Sequence, residues 1–279
     1  MAGTLYIVPT PIGNLGDMSS RALEVLGNVD FVVCEDTRIG GKLLHLFGIK
    51  KELVSHHEHN KKQSAKYIAK RLVMGESCAL ISDAGTPAVS DPGEEAVRQC
   101  LAEGVTVVPL TGPCAAVCAL SASGLPSRRF VFEGFLPDKG KDRQERLAAL
   151  ATEQRTAIVY CTPHDIEKDA AALYGALGNR RVTVCRELTK LNEQICATTL
   201  KALGTKLESG EIPQKGEFAL VIEGADRDAM DADAFWADMD VPTHVAHYVS
   251  LGFSKMDAIK KTAKDRGVPK GQIYEEVIE

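Results

Sequence analysis

The chain is predicted to be an α/β protein, on three observations. Short β-rich runs alternate with helical patterns through the first 132 residues. Those runs are apolar almost without interruption, as strands covered on both faces are. Glycine, proline, acidic and hydroxyl residues gather just after them, where the loops of a parallel sheet open. The organisation expected is one α/β domain over 1–132, a second over 133–224, an acidic linker over 225–240 and a small helical module over 241–279.

In the first domain the strand runs are TLYIV (4–8), DFVVC (30–34), CALIS (78–82), VTVVP (105–109) and FVF (130–132). Helical spacing fills 19–27, 38–47, 62–74, 94–103 and 113–123, so a mainly parallel sheet covered on both faces is expected. The second block opens with EGFLPDKGKDRQER, which leads into a helix with a basic start. Strands follow at 156–161, 181–186, 194–199 and 217–222, with helices at 165–177 and 200–209; the short links between some of these strands predict antiparallel pairing. Residues 225–240 carry six Asp against one Arg and a lone aromatic pair, Phe235–Trp236. Such a stretch cannot bury enough apolar surface to hold a core. From Val241 the pattern returns to helix, breaks at Gly252, restarts behind Ser254 as N-cap and turns again at Gly267–Val268–Pro269. Three short helices of this kind predict a helix-turn-helix module, and six basic residues against two acids between 241 and 271 make it locally positive.

Composition narrows the function classes. A hydrophobic share of 44% and a charged share of 25% are those of an ordinary globular protein. No apolar run approaches the ~20 residues of a membrane span, and MAGTLYIVPTP has neither a basic start nor a long apolar segment, so a cytoplasmic protein is expected. None of the eight cysteines forms C-x-x-C, which argues against a redox motif or a zinc ribbon. A net charge of −5 disfavours broad, sequence-blind nucleic-acid binding and leaves room only for local basic patches. Neither G-x-G-x-x-G nor G-x-x-x-x-G-K-[ST] occurs, so the usual phosphate cradles are missing.

Four loops follow the first-domain strands: PTPIGN (9–14), EDTR (35–38), DAGTPAVSDPG (83–93) and LTGPCAA (110–116). Each taken singly reads as a turn. At one sheet edge the four together predict a small-molecule cleft. Asp83 at the mouth of the barest loop suits the hydroxyls or ammonium of an adenosine-type ligand, with close backbone approach over Ala84–Thr86. In SHHEHN (55–60) an extended backbone would put His57 and His59 on one face, yet nothing completes a metal site; a polar loop at a substrate rim is expected and no metal. HVAH (244–247) is expected to take a surface or helix-cap role.

PTPIGNLGD, EDTR, HEHN, SDAGTP, SDPG, SGLP, GFLP, TPH, RELTK and KGEFALVIEG occur in this order across residues 4–224. The ordered set resembles the ribosomal RNA small-subunit methyltransferases of the tetrapyrrole methylase superfamily. The resemblance implies two α/β domains with a cofactor cleft between them, usually in a homodimer, and transfer of a methyl group from S-adenosylmethionine to a cytidine ribose 2′-oxygen in small-subunit ribosomal RNA. Carried over by motif, the cofactor-binding residues are Thr10, Pro11, Asp83, Ala84, Gly85, Thr86, Gly112, Pro113, Cys114, Tyr160, Cys161, Leu188 and Gly216. The chain departs from the pattern at YCTPHD, where Cys161 and Asp165 replace an acidic and a basic residue, at Thr111, and at HNKK.

Methyl transfer to a hydroxyl asks for in-line positioning and a proton acceptor. The candidates are Glu187 and Lys190, with Glu58 in reserve; Lys190 would need a pKa lowered by burial or by Arg186. The competing reading makes Arg186–Glu187 a structural ion pair. Substrate contacts are expected from Arg38, Glu58, His59 and Asn60, with His57, Arg143, Arg146 and Lys190 around an outturned nucleotide. Arg128–Arg129 and the basic run 139–146 would hold phosphates, unless that run is a solvated helix face. The alternatives are methylation of a tetrapyrrole ring or a protein side chain, and a non-catalytic RNA-binding assembly factor.

Overall fold

The computed structural model describes residues 2–226 and 235–278; of the acidic linker expected over 225–240, residues 227–234 lie outside the described residues. The chain divides at Gly224 into two compact units. The first holds two five-stranded sheets.

The first sheet comprises β1 (Thr4–Ile7), β2 (Phe31–Cys34), β3 (Glu52–Ser55), β4 (Cys78–Leu80) and β5 (Thr106–Pro109), ordered β3-β2-β4-β1-β5 and parallel throughout. All four side chains of β2 are buried, because the pleat sends them alternately to two covered faces. Phe31 and Val33 pack with Ile68 and Leu72 of α3 (Lys61–Val73) and with Ala96 and Cys100 of α4 (Gly93–Ala102). Val32 and Cys34 pack on the opposite side with Leu26 of α1 (Ser20–Asn28) and Leu44 of α2 (Thr37–Leu46). The parallel arrangement places every loop after a strand on one edge.

The second sheet comprises β6 (Phe130–Phe135), β7 (Thr156–Cys161), β8 (Arg181–Arg186), β9 (Gln194–Thr199) and β10 (Phe218–Ile222), ordered β6-β7-β10-β8-β9. Only β6–β7 is parallel; the other pairs are antiparallel, as the short links predict. One face is covered by α6 (Gly140–Thr152), α7 (Ile166–Leu177) and α8 (Leu200–Glu208) through Leu150, Leu173 and Leu203. The other face receives α5 (Ala115–Ala122): Ala116, Ala119 and Leu120 meet Ile158, Cys185 and Val221. Thus α5 leaves the first sheet after β5 and packs on the second, which draws the two sheets around a common cleft.

Two strand expectations need correction. FVF at 130–132 belongs to the second sheet, because Phe130 pairs with Thr156 on β7. Residues 52–55 form an edge strand that sequence pattern did not reveal; ELVS is half-exposed and has no apolar run.

The second unit contains α9 (Val241–Ser250), α10 (Lys255–Arg266) and α11 (Lys270–Ile278) around Val245, Ala258, Ile259 and Ile273. Ser254 caps α10 by accepting from the Asp257 N–H, and Gly267 ends it in the left-handed conformation. His244 is fully buried, contrary to the surface or cap role expected of it. Its Nε2 meets Asp265 at 3.2 Å, its Nδ1 accepts from Arg266 Nε at 3.2 Å, and its ring stacks on Trp236. That pattern fits a neutral imidazole with the proton on Nε2. Among the described residues no helix is long and apolar enough to cross a membrane.

Candidate active site

The loops after β1, β4 and β5 are laced together by short polar contacts. Thr10 and Gly85 exchange backbone hydrogen bonds at 2.9 and 3.1 Å, and the buried Thr10 hydroxyl donates to the Ser82 carbonyl at 3.1 Å. Thr86 Oγ1 donates to the Pro113 carbonyl at 2.7 Å, tying the β4 loop to the β5 loop. Gly85 has φ +85°, a turn that an L side chain resists. Asp91 accepts from Ala88 N at 2.9 Å and Gly93 N at 2.7 Å, which folds the loop back into α4. Buried His56 braces that return from outside, with Nε2 2.9 Å from the Pro92 carbonyl and Nδ1 2.6 Å from Ser64 Oγ.

These loops form one wall of a cavity of about 500 Å³. Ile12, Ser82–Thr86 and Val89–Asp91 line it from the first sheet, Tyr160–Pro163, Cys185, Leu188 and Glu217–Ala219 from the second, and Cys114 and Ala115 from the start of α5. Phe132 and Phe135 hold the Tyr160 ring edge-on, with centroids 5.0 and 5.5 Å away, and burial pushes the Tyr160 phenol up to about 12. The volume lies within the ~300–1,000 Å³ range of small-molecule sites.

Backbone strain gathers at the rim. Among the described residues, the non-glycine residues with positive φ are Ala88, Ser90, Glu187 and Thr189, all on the two loops that flank the cavity. Each such residue costs on the order of 1–3 kcal/mol and persists only where its surroundings enforce it.

Four carboxylates reach the cavity wall: Glu35, Asp83, Asp91 and Glu217. Burial holds Asp83 above the ordinary carboxylate range, aided by the like charge of Asp36 and opposed by the Asp36 N–H at 3.4 Å. Glu35 is held up by burial and then by Asp83 and Asp91, and Asp91 chiefly by burial. Among the described residues no cation pairs with Glu35, Asp83 or Asp91 within 4.0 Å. The wall therefore carries uncompensated negative charge.

At the lip, Lys190 Nζ lies 2.8 Å from Glu187 and 3.0 Å from Glu217. Burial opposes its charge, but the two carboxylates outweigh burial and hold Lys190 above its ordinary value. The lowered pKa that a lysine base needs is absent. Burial likewise acts against ionised Glu187, yet Lys190 and the Glu217 N–H hold its carboxyl below the ordinary range. The Arg186–Glu187 ion pair does not form: Arg186 donates instead to the carbonyls of Lys215 at 2.6 Å and Asn192 at 3.2 Å.

Of the cofactor residues read from sequence, Asp83, Ala84, Gly85, Thr86, Cys114, Tyr160, Cys161 and Leu188 line the cavity. Thr10 and Pro113 brace it from behind, Gly112 packs on Pro9, Pro11 is half-buried beside Ile12, and Gly216 backs Glu187. Arg38, in the first turn of α2, and Glu58, His59 and Asn60, on the loop after β3, stand outside it. Arg38 grips Asp36 bidentately, Glu58 pairs with Lys61 at 2.7 Å, and Asn60 closes its own loop onto the His57 N–H and the Ser55 carbonyl. The segment after β3 turns over 58–60 rather than staying extended, yet the His57 and His59 rings still meet edge-on, with centroids 5.9 Å apart. Arg143, expected near a nucleotide, is buried and tied to Asp169 at 2.7 Å and to the Pro137 carbonyl, so it cannot face RNA. Arg146 pairs with Glu133, whereas Arg128 and Arg129 are exposed. Among the described residues no cluster suits a metal ion.

Sequence reasoning missed Glu35, Ser90, Asp91, Phe135, Thr162 and Phe218 as lining residues. Glu35 and Asp91 stood inside quoted motifs, EDTR and SDPG, and only the geometry separates lining from capping there.

The profile of the tetrapyrrole (corrin/porphyrin) methylases matches residues 4–204. The chain is 49% identical over 275 residues to the ribosomal RNA small subunit methyltransferase I of Xylella fastidiosa, covering 98% of both chains. It is 44% identical over 272 residues to the protein of that name from Halalkalibacterium halodurans, covering 98% of this chain and 93% of the relative. Among solved structures it resembles a diphthine synthase (TM-score 0.63, 15% identity, 79% of this chain and 90% of that one). It also resembles the uroporphyrin-III-C-methyltransferase of Thermus thermophilus (TM-score 0.56, 21% identity, 79% and 94%). These two likenesses concern the fold alone. The ordered motifs, the two sheets around one cleft and the near full-length identity converge: the chain belongs to the tetrapyrrole methylase family, with its curated relatives among the small-subunit ribosomal RNA methyltransferases.

Proposed function

We propose that the chain is an S-adenosylmethionine-dependent methyltransferase acting on the 2′-hydroxyl of a cytidine ribose in small-subunit (16S) ribosomal RNA. The observation that carries this reading is identity of 44–49% over nearly the whole length to relatives named for methylating small-subunit ribosomal RNA. Ring and protein-side-chain methylation rest on fold likeness at 15–21% identity and are not favoured. A non-catalytic assembly factor would have no use for the strained, acid-walled cavity.

The residues present suit S-adenosylmethionine. A cationic nucleoside fits a wall where Glu35, Asp83 and Asp91 have no paired cation among the described residues. When bound, the cofactor supplies a methyl group already activated on a positive sulfur. Asp83 and the bare Ala84–Thr86 backbone would hold it from the first sheet, with Cys114, Tyr160, Cys161 and Leu188 from the other side. Thr10, Pro11, Gly112, Pro113 and Gly216 keep those walls in place. Orientation of the two reacting groups is the main contribution asked of such a site, up to roughly 7–11 kcal/mol in the best intramolecular cases. Lys190, held cationic between Glu187 and Glu217, serves as a fixed positive charge at the lip for a phosphate or ribose oxygen.

Arg38, Glu58, His59 and Asn60 form the rim where the RNA strand would enter, and Arg128–Arg129 with the lysines of α10 supply phosphate contacts. A homodimer in the cytoplasm completes the proposal. Mapping ribose methylation on small-subunit RNA from cells with and without the protein tests it. Loss of one cytidine 2′-O-methyl group, restored on complementation, is expected; an unchanged map refutes it.

A further inference from the structure

We propose that Glu35 is the group that takes the proton from the acceptor hydroxyl, an inference that rests on the methyltransferase reading. The sheet order sets the location. The loops assigned to the cofactor follow β4, β1 and β5, while the rim residues Arg38 and Glu58–Asn60 follow β2 and β3. In the order β3-β2-β4-β1-β5 the border between the two groups falls at the carboxyl end of β2. Glu35 is the first residue after β2 and the one residue of the β2 and β3 loops that lines the cavity, among the described residues. Acceptor and methyl donor, arriving from opposite sides, meet at that border.

The other acids are engaged. Glu217 pairs with Lys190 at 3.0 Å, Asp91 accepts two backbone N–H groups, and Asp83 accepts the Asp36 N–H at 3.4 Å. The three bases suggested by sequence are engaged as well: Glu187 with Lys190 at 2.8 Å, Lys190 with two carboxylates, and Glu58 with Lys61 at 2.7 Å. A carboxylate bound in an ion pair is a poor proton acceptor. Glu35 makes no hydrogen bond or ion pair with the described residues. Burial and the charges of Asp83 and Asp91 hold its carboxyl above the ordinary range, which strengthens it as a base. The charged groups around it are Asp36 and Arg38 on its own segment, Asp83 and Asp91 from the loop after β4, and His57 and Glu58 from the loop after β3.

In the step, the 2′ O–H bond breaks and its proton passes to a Glu35 carboxylate oxygen. The electron pair left on O2′ forms the new C–O bond to the methyl carbon, and the pair of the breaking C–S bond goes to sulfur. A carboxylate, a neutral hydroxyl and a sulfonium become a carboxylic acid, a methyl ether and a thioether, so charge balances.

The test combines turnover with binding. Glu35→Gln is expected to lower RNA methylation about 10²–10⁴-fold even at saturating S-adenosylmethionine, whose Kd is read in parallel by calorimetry. The acidic limb of the pH–rate profile should vanish with it. A turnover loss under about tenfold overturns the proposal; so does a cofactor Kd weakened more than about tenfold with turnover recovered at saturation, which would make Glu35 a cofactor contact. If Glu35→Gln does not fold, Glu35→Asp decides: a displaced acidic limb with unchanged cofactor Kd supports the role, and an unmoved limb overturns it. Absence of methylation by the unaltered protein would instead refute the parent reading.

Discussion

Gly216→Ala probes how the second sheet supports the lip. Gly216 has φ +86°, and a Cβ there would fall well inside 3.0 Å of Cγ, Cδ and Oε1 of Glu187. The left-handed backbone alone costs an L residue about 1–2 kcal/mol. Moving Glu187 aside adds more, because its Oε1 accepts from Lys190 Nζ at 2.8 Å and from the Glu217 N–H at 2.9 Å. Losing such charge-assisted bonds costs about 1.5–3 kcal/mol. The sum, about 2.5–5 kcal/mol, corresponds to a fall in Tm of about 5–20 °C for a unit of this size. A double-mutant cycle separates the two contributions. In a Glu187→Ala background the clash is gone, so Gly216→Ala should cost only about 1–2 kcal/mol, leaving a coupling of about 1.5–3 kcal/mol. Denaturant unfolding of the four proteins measures it. Additive effects would refute the claim that Gly216 is required by the Glu187 side chain.

Asp83→Ala should weaken S-adenosylmethionine binding at least about tenfold, by calorimetry, yet leave Tm unchanged or slightly raised, since it removes a like charge beside Asp36 and only a long 3.4 Å contact with the Asp36 N–H; undiminished affinity would remove Asp83 from the site. Because Glu35, Asp83 and Asp91 have raised pKa values, the ionised wall that a cation prefers is lost as pH falls through the region just above the ordinary carboxylate range; cofactor affinity should fall there, and an affinity flat across that window would count against the acid wall. Truncation after Gly224 should lower affinity for small-subunit RNA and reduce its salt dependence while sparing cofactor binding, because it removes the lysines of α10; equal RNA affinity would assign the helical unit another role.

What could be read from the sequence followed from how each feature is encoded. β2, with four apolar residues in a row, announced itself because both faces are covered. β3 did not, since an edge strand with one exposed flank needs no apolar run. The cofactor loops were legible because close backbone approach demands small residues, and Ala84–Gly85–Thr86 supplies them. The partners of charged side chains were not. Arg143 sits in a basic run like any solvated arginine, and only the fold brings Asp169 against it across 26 residues. Likewise nothing local to HVAH distinguishes a fully buried His244 from a surface one, because its partners Asp265 and Arg266 lie a helix away.

The same separation explains why the site looks costly in isolation. Three carboxylates share a partly buried wall with no paired cation among the described residues, and the rim backbone is strained at Ala88, Ser90, Glu187 and Thr189. Neither feature helps the chain fold: for an acid whose pKa rises on folding, ionisation at neutral pH subtracts from stability, and the stabilising protonated form is lost as pH climbs through the raised value. Both persist because Thr10, Thr86 and His56 lace the loops of the first sheet, while the Glu187 N–H donating to the Glu217 carbonyl at 2.9 Å and the Thr189 N–H donating to Glu193 at 2.6 Å hold the loop after β8. A cation bound in the cavity relieves the repulsion among the acids, so part of its binding energy is relief of that repulsion. Variants that neutralise Glu35 or Asp83, which unlike Asp91 do not tie the loop into α4, should therefore trade affinity for stability in opposite directions, a correlation that a purely structural acid cluster would not produce.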